Sequence, residues 1–105
     1  MPQYHPPLKD MLFVLDRVVG LDRLAEHPDF GVLDADAAVS ILEPAAKLAA
    51  EVLARINFSG DREGTKLENG VVTTAKGFKE AYAEYRDGGW NAVPFSQEHG
   101  GQGLP

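Results

Sequence analysis

Residues 34–57 read Asp34-Ala35-Asp36-Ala37-Ala38-Val39-Ser40-Ile41-Leu42-Glu43-Pro44-Ala45-Ala46-Lys47-Leu48-Ala49-Ala50-Glu51-Val52-Leu53-Ala54-Arg55-Ile56-Asn57, and this stretch decides the fold. Asp34 has the short acceptor side chain that caps a helix N-terminus. Val39, Leu42, Ala46, Ala49, Leu53 and Ile56 follow at helical spacing, and Ile41, Leu48 and Val52 widen the stripe. The many alanines favour helix and let a neighbouring helix approach closely. The expectation is a main helix over about 35–55. Pro44 conflicts with it, because proline lacks the donor that a helix interior uses. A kink near 40–44, or a break into two helices, is expected there.

Upstream, Leu8, Met11, Leu12, Leu15, Val18 and Val19 trace another apolar stripe, predicting a helix over 8–19 that stops at Gly20. Residues 1–7 are proline-rich and read as an extended arm. A short turn is expected at Leu21-Asp22-Arg23-Leu24, then a loop through His27-Pro28-Asp29-Phe30-Gly31.

Downstream, Asn57 to Gly64 reads as a polar loop punctuated by Gly60 and Gly64. Lys66 to Thr73 carries Asn69-Gly70 between short β-prone runs; an irregular excursion is expected, with a small hairpin as the alternative. Thr74 is the expected cap of a last helix over about 75–86, ended by Asp87-Gly88-Gly89. Together these elements predict an all-α fold, a small antiparallel helical array in a single domain over 1–105. Its heart is expected at Leu42, Ala46, Ala49, Val52, Leu53, Phe78, Tyr82 and Trp90.

Ten basic and sixteen acidic residues leave a formal charge of -6, which argues against a phosphate-binding or nucleic-acid surface. The absence of cysteine excludes disulfides, thiolate metal sites and cysteine nucleophiles within the chain. Met1-Pro2-Gln3-Tyr4-His5-Pro6-Pro7 has no basic region followed by an apolar one, so no signal peptide is expected. No apolar run approaches the ~18 residues of a membrane span.

Few residues invite a chemical reading. His5, His27 and His99 sit in separate loops, without the paired spacing of a metal site. Gly100-Gly101-Gln102-Gly103 matches neither phosphate-loop pattern and reads as a backbone packing turn. Among Glu43, Glu51, Asp61, Glu63, Glu80, Glu84 and Glu98 no catalytic pair is recognisable, and Glu80 with Glu84 reads as a solvated helix face. Ser40, Ser59 and Ser96 lack a nucleophile context. Tyr82, Tyr85 and Trp90 read as core aromatics rather than as a cavity lining. No catalytic, cofactor-binding or metal residue is therefore assigned. The closing Glu98-His99-Gly100-Gly101-Gln102-Gly103-Leu104-Pro105 reads as a loop leading into further domains, so the chain is expected to be the front piece of a longer protein. The exposed apolar surface of such a piece is expected at 90–105, with self-association there.

Three blocks carry a family resemblance. They are Glu43 to Asn57; Gly60-Asp61-Arg62-Glu63-Gly64 with Thr74 to Tyr82; and Gly88-Gly89-Trp90 with Glu98 to Pro105. In this order they resemble the N-terminal domain of acyl-CoA dehydrogenases. The branch is the larger one, which includes enzymes for methylmercaptopropionyl- and long-chain acyl-CoA. The resemblance implies a parent flavoenzyme, cytoplasmic and homo-oligomeric. It would oxidise an acyl-CoA to the α,β-enoyl-CoA with a glutamate base and FAD, and pass electrons to electron-transfer flavoprotein. It also implies that the base and most flavin contacts lie in other domains, so this segment alone binds no FAD and is inactive. Pro44 and His99 depart from the family pattern, which usually keeps an uninterrupted helix and a tyrosine there. The alternative, from another class, is a free-standing helical interaction module without enzymatic activity.

Overall fold

A computed structural model describes residues 3–30 and 33–105. It is mostly helical. Helix α1 (Leu8–Phe13) passes into a π-helical stretch, Val14–Val19, that ends at Gly20 in the left-handed conformation. Helix α2 (Leu21–Ala25) follows. Next comes α3 (Ala35–Leu48), a π-helical stretch Ala49–Leu53, and α4 (Ala54–Glu63), which form one unbroken run. The hairpin β1 (Lys66–Glu68) and β2 (Val71–Thr73) precedes α5 (Phe78–Asp87). Single 3-10 turns at Trp90–Ala92 and Gln97–His99 lead to the C-terminal segment.

The long run is the spine. Asp34 opens it as expected, its Oδ1 accepting the Ala37 N–H at 2.7 Å. Helix α1 packs on α3 at one end. There Leu21, Leu33 and Ala38 are buried, with Leu12, Leu15, Ile41 and Leu104 against them. Helix α5 crosses the other end, and the glycine-rich segment returns Leu104 to the first cluster.

Several expectations need correction. The helix runs through Pro44 without a break, and its irregularity comes later, as the π stretch at Ala49–Leu53. The expected loop at 57–64 is helix as far as Glu63 and ends at Gly64, φ 67°. Ser59 Oγ donates to the Ile56 carbonyl at 3.3 Å, and Gly60 is buried beneath the Phe78 ring. Both residues that read as loop therefore have helical reasons to be where they are. The excursion over 66–73 is the hairpin, pairing Leu67 with Val72. Asn69 (φ 51°) and Gly70 (φ 76°) both take the positive φ of a type I′ turn.

The last helix starts at Phe78 behind Gly77 (φ 88°), not behind Thr74. A side chain at Gly77 would also meet Ile56 Cγ2 at 3.0 Å.

The core is displaced from its expected place. Among the described residues the buried hydrophobics are Leu21, Leu33, Ala38, Ala75 and Ala81. Leu42, Ala46, Ala49, Val52 and Trp90 are only half-buried. Leu53 is 39% exposed, Phe78 38% and Tyr82 60%. The apolar stripes are real, but the chain does not cover them with its own residues. Within 90–105 only Phe95 remains an exposed large hydrophobic, so the bare apolar surface is not centred there. No helix among the described residues is long and apolar enough to cross a membrane.

Candidate functional site

The spine and α5 frame two apolar grooves. The larger, about 530 Å3, lies where the N-terminal arm crosses the π stretch. Gln3 and Tyr4 form one side; Ala49, Leu53, Asn57 and Phe58 form the other. A π stretch adds a residue to the turn and breaks the even succession of side chains along a helix. Phe58 is held from outside by Arg62, whose guanidinium carbon lies 4.5 Å from the ring centroid.

The second groove, about 280 Å3, lies between the spine and α5, with Leu53, Ile56 and Asn57 facing Phe78, Tyr82 and Tyr85. The two tyrosine rings are 6.4 Å apart between centroids. The core reading of Tyr82 is thus overturned, since the ring is a groove wall open to solvent. Tyr85 is half-buried in the same wall. Among the described residues, no charged side chain lines either groove.

A third cleft, about 240 Å3, joins the Pro44 turn of α3 to Gly88, Gly89, Trp90, Gln102 and Leu104. Trp90 folds back over Gly88, where an added β-carbon would lie 2.7 Å from the indole nitrogen. The sequence signal for this cleft was the pair of glycines before Trp90.

The nominated polar residues are not brought together. His5 is exposed on the arm. His27 Nδ1 accepts the Asp29 N–H at 3.2 Å, and its ring packs on Phe30. His99 Nδ1 is 2.9 Å from Ser96 Oγ, and its Nε2 is 3.7 Å from Glu98, all on the surface of one turn. Glu43, Glu51, Asp61, Glu80 and Glu84 are exposed. Ser40 Oγ donates to the Asp36 carbonyl. Glu63 has a structural partner, both carboxylate oxygens accepting the Lys76 N–H at 3.2 Å, which closes the base of the hairpin. Sequence reasoning missed this contact, since thirteen residues separate the pair. Among the described residues no group of three His, Asp or Glu side chains is placed to hold a metal ion.

The glycine-rich segment uses its own donors. Gly100 N–H reaches the Gln97 carbonyl at 3.0 Å and Gly101 N–H the Ser96 carbonyl at 3.0 Å. Gly103 N–H reaches the Phe95 carbonyl at 2.8 Å. A phosphate cradle needs such amides free and aimed outward. Residues 87–105 also contain no lysine or arginine. These residues do not fit the pyrophosphate of a flavin cofactor.

No family model matches the chain. Two curated proteins do. The chain is 32% identical over 102 residues to the 3-methylmercaptopropionyl-CoA dehydrogenase of Ruegeria pomeroyi, covering 97% of this chain and 17% of that protein. It is 27% identical over 107 residues to the broad-specificity linear acyl-CoA dehydrogenase FadE5 of Mycobacterium tuberculosis, covering all of this chain and 18% of that protein. Along its length the chain is similar to a segment of these two acyl-CoA dehydrogenases, consistent with an N-terminal domain of such an enzyme. It spans less than a fifth of the length of these relatives.

Proposed function

We propose that this chain is the structural N-terminal domain of an FAD-dependent acyl-CoA dehydrogenase of the cytoplasm, and has no catalytic set of its own. The parent oxidises an acyl-CoA to the α,β-enoyl-CoA, with FAD as hydride acceptor and electron-transfer flavoprotein as electron acceptor. That chemistry belongs to other domains of the parent, while this one forms a wall beside them. The observation that carries the reading is the full-length match to two dehydrogenases many times longer than the matched segment. The scattered polar residues and the self-satisfied glycine turn support the assignment of the chemistry elsewhere.

The experiment is to establish the native reading frame and the intact mass of the polypeptide. A β-domain followed by long helices, continuous with this segment, is the expected result. A native polypeptide ending at Pro105 would contradict the reading and favour a free-standing interaction module.

A further inference from the structure

Asn69-Gly70 and Asp87-Gly88 are the two places in the chain where Asn or Asp precedes glycine. In each, attack of the glycine nitrogen on the side-chain carbonyl carbon closes a five-membered ring. Glycine has no side chain to hinder that nitrogen. The fold treats the two pairs differently. At the end of α5 the Gly88 N–H donates to the Glu84 carbonyl at 3.0 Å. Asp87 Oδ1 accepts from Arg86 at 2.9 Å, and Trp90 folds over Gly88. Nitrogen, carboxylate and glycine are all held there.

At the hairpin tip nothing holds them. Asn69 and Gly70 are exposed. Among the described residues no carbonyl accepts the Gly70 N–H, and nothing lies within 4 Å of where a β-carbon at Gly70 would stand. A type I′ turn carries the second central nitrogen away from the first residue's β-carbon, so the ring closes only when the turn opens. The sheet has two strands of three residues each and no third. Such a hairpin is marginally stable and opens locally without unfolding the domain.

We propose that Asn69 is a site of spontaneous covalent modification, deamidated through attack by the Gly70 nitrogen when the hairpin opens, with water as the co-reactant. Hydroxide takes the Gly70 amide proton, and the nitrogen bonds to Asn69 Cγ. The Cγ–Nδ2 bond breaks, and Nδ2 leaves as ammonia with a proton from solvent. Water then opens the cyclic imide; nothing is oxidised or reduced. Cleavage at Cγ leaves an aspartate at position 69, which still suits a type I′ turn and adds one negative charge to the formal -6. Cleavage at the backbone carbonyl carbon leaves an isoaspartate, whose chain runs through Cγ. That extra backbone carbon no longer lets a two-residue turn hold Leu67 opposite Val72. Nothing in this chemistry depends on the enzymatic reading.

The test is incubation of the folded 105-residue chain at mildly acidic and mildly alkaline pH. Peptide mapping by mass spectrometry and isoaspartate-specific enzymatic methylation read the products. Amide-to-acid conversion at Asn69 is expected, with isoaspartate at the same position, at a rate that rises with hydroxide. Asn57, Asn91 and Asp87 stay unaltered. A synthetic peptide of residues 66–73 gives the rate without the fold, and the folded chain should convert measurably but more slowly. Gly70→Ala should slow conversion at least about tenfold. Glu63→Ala, which frees the base of the hairpin, should speed it about twofold to tenfold, the factor that one lost hydrogen bond gives the open state. An Asn69 that stays intact in the folded chain while the peptide converts overturns the proposal. So does conversion that Gly70→Ala does not slow or Glu63→Ala does not speed, or reaction at Asp87-Gly88 at the same rate.

Discussion

The Phe78 ring lies over Gly60, in the space a β-carbon there would fill. This contact sets how α5 crosses the spine, and it explains a glycine in the last turns of α4. Alanine at 60 gains about 1 kcal/mol of helix propensity but must displace the ring. We expect Gly60→Ala to lose stability with Phe78 present and to gain it in a Phe78→Ala background. A double-mutant cycle in chemical denaturation should give a coupling of about 1 kcal/mol or more. Additive effects would show that the ring does not hold the crossing.

The buried centre is at Leu21, which is 2% exposed, rather than along the spine. Leu21→Ala should cost about 2–5 kcal/mol. Leu53→Ala, measured on dilute chain, should cost under about 1 kcal/mol, as a partly exposed position does. Reversal of this order in urea denaturation would return the core to the spine.

Glu63 ties the end of α4 to the backbone at Lys76. Glu63→Ala should cost about 0.5–1.5 kcal/mol and raise hydrogen exchange at the Lys76 amide and in β1 and β2. Unchanged exchange at that amide would mean that the contact does not persist in solution.

Gly101 packs on the backbone, where a β-carbon would overlap the Phe95 carbonyl and lie 2.6 Å from the Ala92 carbonyl oxygen. Neither carbonyl can swing away as a side chain does. Gly101→Ala should open the terminal turn, release Leu104 from the Leu21 cluster and cost about 1–3 kcal/mol. An unshifted denaturation midpoint would show that the turn adapts freely.

The spine, its Asp34 cap and the stop at Gly20 were legible because capping and helical periodicity are local. The end of α4 was not, because Gly60 looks like a breaker until Phe78 supplies the reason for it. The hairpin signal at Asn69-Gly70 was visible, but strands of only three residues carry too little alternation to separate a hairpin from an irregular excursion. The core was misplaced because periodicity says which face is apolar, not what covers it. Leu53, Phe78 and Tyr82 lie on apolar faces that this chain leaves open. The family resemblance was legible from three ordered blocks, and the whole-length matches support it. The grooves were not, since they need the arm, spine and α5 placed together.

As proposed, this domain shapes a dehydrogenase without carrying its chemistry. The most direct measurement is flavin absorbance of the chain after soaking in FAD and desalting, with an acyl-CoA-dependent dye-reduction assay on the same sample. No retained flavin and no reduction above a protein-free blank are expected. Stoichiometric flavin that survives desalting, or acyl-CoA-dependent turnover, would contradict it.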